Sequence, residues 1–240
     1  MKSEAVLHGV AQPQADGRAP DRSRAVRDAI QAAIVDHRLP PGTKLSEDEV
    51  GDAFGVSRTV VRAALQGLSF SGLVVLERNR GAFVASPGAE EARQVFAARR
   101  LVEAELATAA AGRFTAADAA HLRTHIDREE HALTARDRRT AIRLSGDLHL
   151  QVATLSGNDI LARFLDELVA RSSLIIALYG ASGTSACGVR EHRSIIDALE
   201  SGDGDRAAAL MIAHLDHIAD DLDLTQAAPA EQSLASLLKP

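Results

Sequence analysis

Three histidines, His149, His192 and His214, are set into apolar repeats at distant points of the chain. Leu144, Leu148 and Val152 surround the first, Ile195, Ile196 and Leu199 follow the second, and Leu210 and Leu215 flank the third. That spacing puts each imidazole on the apolar stripe of a separate helix. Neutral imidazoles converging from separate helices are what a transition-metal site in a bundle core requires. The same spacing also suits core histidines that satisfy their own hydrogen bonds. His121 and His125 stand i, i+4 and could chelate together, but Arg123, Asp127 and Arg128 beside them indicate a solvated face. A second chemistry lies nearer the N-terminus. Arg58, Arg62 and Gln66 are spaced i, i+4, i+8 and form one polar helical face. Each guanidinium offers a planar fork that matches phosphate oxygens or the O6/N7 edge of guanine. Arg78 and Arg80 flank Asn79, ahead of Gly81, where a tight hairpin turn needs left-handed backbone. Arginines at a hairpin tip can lie along a phosphate backbone or in a minor groove.

These side chains need elements that present them. Apolar residues at Val50, Ala53 and Phe54, and again at Val61, Ala64, Leu65 and Leu68, have the spacing of two helices packed on a core. Gly55 breaks the run between them, and Ser57 is the expected N-cap of the second helix. A strand over Leu73–Leu76 and a partner over Ala82–Val84 complete a winged helix-turn-helix, a unit that enters a DNA major groove. A preceding helix is expected from Asp21 to His37, ended by Leu39-Pro40-Pro41-Gly42. Residues 1–20 read as a disordered arm, 21–85 as the DNA-binding domain and 86–88, Ser-Pro-Gly, as a linker. Beyond it the composition is helical. Six helices are expected over about 89–111, 115–135, 138–155, 159–178, 189–201 and 203–222, with Thr115 to Asp118 as a capping box. Ser182 to Cys187 reads as irregular, and residues 223–240 as a frayed tail. The expected fold is mainly α: a winged helix followed by an antiparallel helical bundle over 89–222.

Composition bounds the function. A length of 240 residues suits two domains, and 46 % hydrophobic residues suffice for ordinary cores. With 3 % aromatics, those cores must be built from Leu, Ile, Val and Ala. No apolar run is long enough to span a bilayer, and the N-terminus has no charged-then-apolar leader pattern. The single cysteine, Cys187, excludes an intrachain disulfide framework, fits a reducing cytosol and reads as a structural thiol. A cytoplasmic location is expected. The net charge is −6, but residues 18–86 carry ten Lys/Arg against eight Asp/Glu, or +2, which leaves −8 for the rest. A mildly basic head on an acidic body suits a protein that touches DNA through one small domain.

The order Pro41-Gly42-Thr43-Lys44-Leu45, Phe54-Gly55-Val56, Ser57-Arg58-Thr59-Val60-Val61-Arg62 and Arg80-Gly81 resembles the winged-helix domain of GntR-family transcription regulators. Val60 stands where Pro is common, Ala63 where Glu is common, and Asp48 where some members carry an arginine. No phosphate contact is therefore expected at Asp48. The resemblance implies that Arg58 and Arg62 contact DNA, with Thr59 and Gly81 near the backbone; Ser57, Gln66, Arg78 and Arg80 complete the expected surface. Residues 92–220 resemble the C-terminal ligand-sensing (FCD) domain of the FadR-type branch. The matches are Arg99-Arg100-Leu101-Val102-Glu103, Leu148-His149 before Ser156-Gly157-Asn158, Glu191-His192 through Leu199, and Ala213-His214-Leu215. In that domain three histidines and an aspartate bind a metal, often zinc, and small carboxylates bind beside it.

The resemblance implies His149, His192 and His214 as ligands of Zn2+, with Ni2+ or another divalent ion as options. The family aspartate position is Ser145, four residues before His149. Asp147 lies about 200° around the helix from His149 and cannot replace it. An anionic effector would then supply the missing charge. Arg99 matches the family arginine that faces the effector; its other reading is an i, i+4 salt bridge to Glu103. The expected function is a homodimeric, effector-controlled regulator of a pseudo-palindromic operator, not an enzyme and not membrane-bound. The acidic helical domain is expected to carry the dimer contact. Two alternatives remain at this stage: a metal-free regulator with an apolar acyl pocket, and a His-metal hydrolase. The hydrolase lacks an evident carboxylate base beside the histidines.

Overall fold

Proline and glycine punctuation divides the chain as its composition does. The computed structural model describes residues 19–180 and 186–225. Two compact units meet between Pro87 and Gly88. Residues 1–18 of the arm expected over 1–20 and residues 226–240 of the tail expected from 223 lie outside the described residues, as do 181–185 of the expected irregular segment, and the first helix starts at Ala19, inside the expected arm.

The first unit holds α1 (Ala19–Val35), β1 (Lys44–Leu45), α2 (Glu47–Phe54), α3 (Arg58–Phe70), β2 (Val74–Glu77) and β3 (Gly81–Val84). Val26, Ile30 and Ile34 of α1 and Val61, Leu65 and Leu68 of α3 are buried together, since α1 packs on α3. Ala53 and Phe54, expected inward on α2, are only half-buried. Ser46 caps α2 by accepting from the Glu49 amide, and Gly55 at φ 62° ends it in the left-handed region. Gly supplies that conformation without a Cβ penalty, so the chain can turn at once into α3. Ser57 holds the N-cap position of α3, but its side chain makes no capping bond, contrary to expectation. The sheet runs β1-β3-β2, antiparallel throughout, with Glu77 opposite Gly81 at the hairpin tip. Asn79 adopts φ 64° in the tip, as the turn chemistry requires. The strand expected over Leu73–Leu76 is shifted one residue on, and β1 went unforeseen.

The second unit holds α4 (Ala89–Ala111), α5 (Ala116–Thr134), α6 (Arg138–Ser156), α7 (Asp159–Tyr179), α8 (Ala186–Glu200) and α9 (Gly204–Asp220). Side-chain caps start four of them: the Thr115/Asp118 capping box, Asp137, Asn158 and Asp203. α4 is central, packing on α6, α7, α8 and α9, while α5 packs on α6 and α8. Ala92, Ala107, Ala110, Ala119, Ala198 and Ala207 are fully buried. Small side chains at these crossings let the helices approach closely, and Phe96 and Tyr179 are buried in the same core. α8 starts at Ala186, three residues earlier than expected, so Cys187 is helical rather than irregular.

Candidate metal centre and nucleic-acid interface

Every helix of the second unit sends a polar side chain to one buried cluster. α6 supplies His149, α8 His192 and α9 His214, and none of the three is more than 2 % exposed. The ring centroids lie 4.5–5.6 Å apart. One nitrogen from each falls within 4.8 Å of the others, a group able to hold a metal ion.

The outward nitrogens are all taken by glutamates. His149 Nδ1 pairs with Glu103 of α4, His192 Nδ1 with Glu129 of α5 at 2.8 Å, and His214 Nδ1 with Glu191 of α8 at 2.7 Å. An ionised carboxylate only accepts, so each Nδ1 carries the hydrogen and each ring turns its Nε2 inward. His149 Nε2 is buried with no hydrogen-bond partner, and the Nε2 atoms of His192 and His214 face each other at 3.1 Å. That contact is satisfied either by a proton on one ring, as N–H···N, or by a cation held between the two lone pairs. Carboxylate–histidine pairs of this kind fix the tautomer of metal-bound imidazoles. The donor set therefore fits a borderline-soft divalent ion.

The charges around the cluster agree. Burial would raise the Glu103 carboxyl, but Arg99 and His149 outweigh it and hold it at about 2. Burial pushes His149 down, with Arg99 adding to the effect against the pull of Glu103. Burial, reinforced by His192, lowers His214 to about 3. Both rings are neutral at pH 7 and available as ligands.

Arg99 forms the i, i+4 salt bridge that its spacing allows. Its Nε donates to Glu103 at 2.6 Å, and Nη1 donates to Ser172 Oγ of α7 at 3.0 Å. Nη2 is buried without a partner among the described residues. Ser145 sits half-buried one helical turn before His149. Asp147 instead pairs with Arg143 at 3.1 Å and lines a separate cleft between α5 and α6. His121 and His125 also line that cleft, but His125 is 6 % exposed, not solvated as expected. Its Nε2 donates to the Leu144 carbonyl at 2.7 Å and its Nδ1 accepts from Gln151 at 3.1 Å, so it cannot chelate with His121.

The three glutamates beside the histidines were not foreseen. Glu129 left a trace: with Leu122 and Ile126 it occupies the buried stripe of α5, where a charge is out of place. All three touch the Nδ1 side and point away from the Nε2 centre, which is no position for a general base.

In the first unit, Ser57, Arg58, Thr59, Arg62 and Gln66 of α3 and Arg78, Arg80 and Gly81 of the hairpin tip are all exposed. The arginines are not bare. Arg58 Nε lies 2.6 Å from Asp48, Arg62 makes a two-bonded contact with Glu47 at 3.0 and 2.8 Å, and Arg80 pairs with Glu77. These acidic partners were not foreseen.

Residues 22–84 match the family described as "Bacterial regulatory proteins, gntR family", and residues 94–217 match the "FCD domain". The chain belongs to the GntR family and carries an FCD domain. Among relatives of this GntR regulator is the HTH-type transcriptional regulator LutR of Bacillus subtilis, 27 % identical over 79 % of this chain and 95 % of that protein. The HTH-type transcriptional repressor RspR of Escherichia coli K12 is 25 % identical over 80 % of this chain and 85 % of that protein. A putative GntR regulator from Rhodococcus sp. RHA1 superposes with a TM-score of 0.72 at 25 % identity, covering 83 % of this chain and 96 % of that one. Its GntR and FCD relatives are transcription regulators, not enzymes, which removes the hydrolase alternative. Among the described residues, no helix is long and apolar enough to cross a membrane.

Proposed function

We propose that this GntR regulator is a cytoplasmic homodimer that reads a pseudo-palindromic operator and is controlled by a small carboxylate held at a metal in its helical unit. α3 lies in the major groove, with Arg58 and Arg62 toward bases or phosphates and Ser57, Thr59 and Gln66 beside them. The tip carrying Arg78, Arg80 and Gly81 follows the backbone or minor groove. Two heads on one operator supply the contacts that one small head lacks.

The observation that carries the effector reading is the buried cluster itself: His149 Nε2 and Arg99 Nη2 have no partner among the described residues, and the Nε2 atoms of His192 and His214 face each other beside them. His149, His192 and His214 would hold the ion, most simply Zn2+. When bound, it supplies Lewis acidity and a positive charge for an effector oxygen. Arg99 holds the other oxygen, and Ser145, in place of an anionic ligand, leaves room for that carboxylate. Because Glu103 joins Arg99 to His149, a bound effector tightens helices α4 and α6 together. A ligand shifts operator affinity only by binding one head arrangement better than another.

Thermal melts of the zinc-loaded full chain against a panel of two- to six-carbon carboxylates test this. At least one carboxylate should raise the midpoint of the wild type and change its affinity for a duplex selected from a random pool. The His149→Ala/His192→Ala double variant should keep duplex binding and lose both responses. A carboxylate response that survives in the double variant would refute the metal-centred site.

A further inference from the structure

We infer that Glu47 and Asp48 are specificity-determining positioning residues, which dedicate Arg62 and Arg58 to guanine edges and disfavour phosphate-only binding. This rests on the reading that α3 enters the major groove. A guanidinium has two edges that can donate two parallel hydrogen bonds: the side edge, Nε with Nη2, and the end, Nη1 with Nη2. Glu47 occupies the side edge of Arg62, taking Nε at 3.0 Å and Nη2 at 2.8 Å. The end fork stays free and is aimed by the pair. Such a fork matches O6 and N7 of guanine. Asp48 approaches Arg58 more loosely, as an ion pair at Nε alone, 2.6 Å away.

The carboxylates belong where they are. Both sit in the first turn of α2, where the helix dipole favours negative charge and Ser46 caps the end. The hydrogen bond from Arg62 lowers the Glu47 carboxyl further, so it stays ionised. The arginines remain 62 % and 71 % exposed, open to an incoming duplex.

The electrostatic consequence follows. Each arginine–carboxylate pair is neutral as a unit. A passing phosphate gains little from it and is repelled by the carboxylate, whereas a guanine edge uses the free donors in full. Lys44 and Arg78, exposed in the same unit, have no carboxylate partner among the described residues and remain as phosphate contacts. A head with a net charge of only +2 over residues 18–86 fits such a division of labour.

The test compares full-length wild type, Glu47→Ala, Glu47→Gln, Asp48→Ala and Asp48→Asn. Each is used to enrich duplexes from a random pool and is titrated by fluorescence anisotropy against the enriched duplex and against a poly(dA)·poly(dT) duplex, which has no guanine. Arg62→Ala and Arg58→Ala identify the guanine read by each arginine. Glu47→Ala should weaken preference for the Arg62 guanine about tenfold, the scale of one bidentate contact. It should tighten binding to the guanine-free duplex severalfold and steepen the log–log salt slope by up to about one. Asp48→Ala should do the same at the Arg58 guanine. The Gln and Asn variants keep an acceptor but no charge. They should retain most of the guanine preference while still binding the guanine-free duplex more tightly. Alanine variants with unchanged preference and salt slope would overturn the inference, as would equal weakening on both duplexes. If the wild type enriches no sequence at all, the groove-binding reading fails first.

Discussion

In the winged helix, Arg62 meets Glu47 with 62 % of its side chain exposed; in the bundle, Arg99 meets Glu103 with 3 % exposed. The partners are chemically the same and the solvents are opposite. Water screens the exposed pair, so it contributes little to folding and exchanges readily for another partner such as DNA. The buried pair has no such alternative. Arg99 and Glu103 were desolvated on folding, and each needs the other to stay charged. Glu103 also holds His149, so the pair fixes an imidazole as well as a salt bridge. A surface that must change partners keeps its charges wet, and a site that must keep its geometry buries them.

The largest effect should come from cutting the buried pair. Glu103→Ala strands a buried guanidinium and frees His149 Nδ1. It should cost about 3–5 kcal/mol in urea unfolding of the metal-free chain, while Glu47→Ala should cost no more than about 1 kcal/mol. Equal losses would erase the distinction between the two regions.

Acid should come next, and it should act on the bundle. His214 titrates near 3 when folded against an ordinary 6.5, so between those values the unfolded chain binds the extra proton. The contribution of this group is complete above pH 6.5 and falls as pH drops toward 3, by about 1.4 kcal/mol per pH unit at most. Glu103, held at about 2, adds its own loss below its ordinary value of 4.5. Metal-free unfolding followed from pH 7 to pH 4 should show this decline, and bound zinc should resist it at the upper end because it competes with the proton. A flat profile would mean that the histidines are not buried neutral.

The smallest stability effect belongs to α3. Arg62→Ala should change folding stability by less than about 0.5 kcal/mol. Its cost in binding a pool-selected duplex should be about 1–3 kcal/mol. Comparable losses in both measurements would make Arg62 a folding residue.

Much of this contrast was legible in the residues. The start of α5 announces itself through Thr115 and Asp118, because capping is local chemistry. The apolar stripes place each of the three histidines toward a core, and the resemblance to the FCD domain is what joins them into one set. Partners from distant segments leave weaker marks. Glu129 and His192 are separated by 63 positions, and only the charge on the stripe of α5 hints at the pairing. The link between Glu47 and Arg62 crosses a turn over 15 positions, so nothing in the sequence marks Glu47 as a partner, and Asp48 reads only as a position without a phosphate contact. β1 has two residues, too few for any periodicity, and exists because β3 offers it an edge.

Calorimetric titration of zinc into the metal-stripped full chain tests the central claim most directly. Wild type should bind one ion per chain, Ser145→Asp should bind it at least about tenfold tighter by restoring an anion one turn from His149, and the His149→Ala/His192→Ala variant should bind none. A wild-type chain that takes up no zinc, or a double variant that takes up as much as the wild type, would contradict the account.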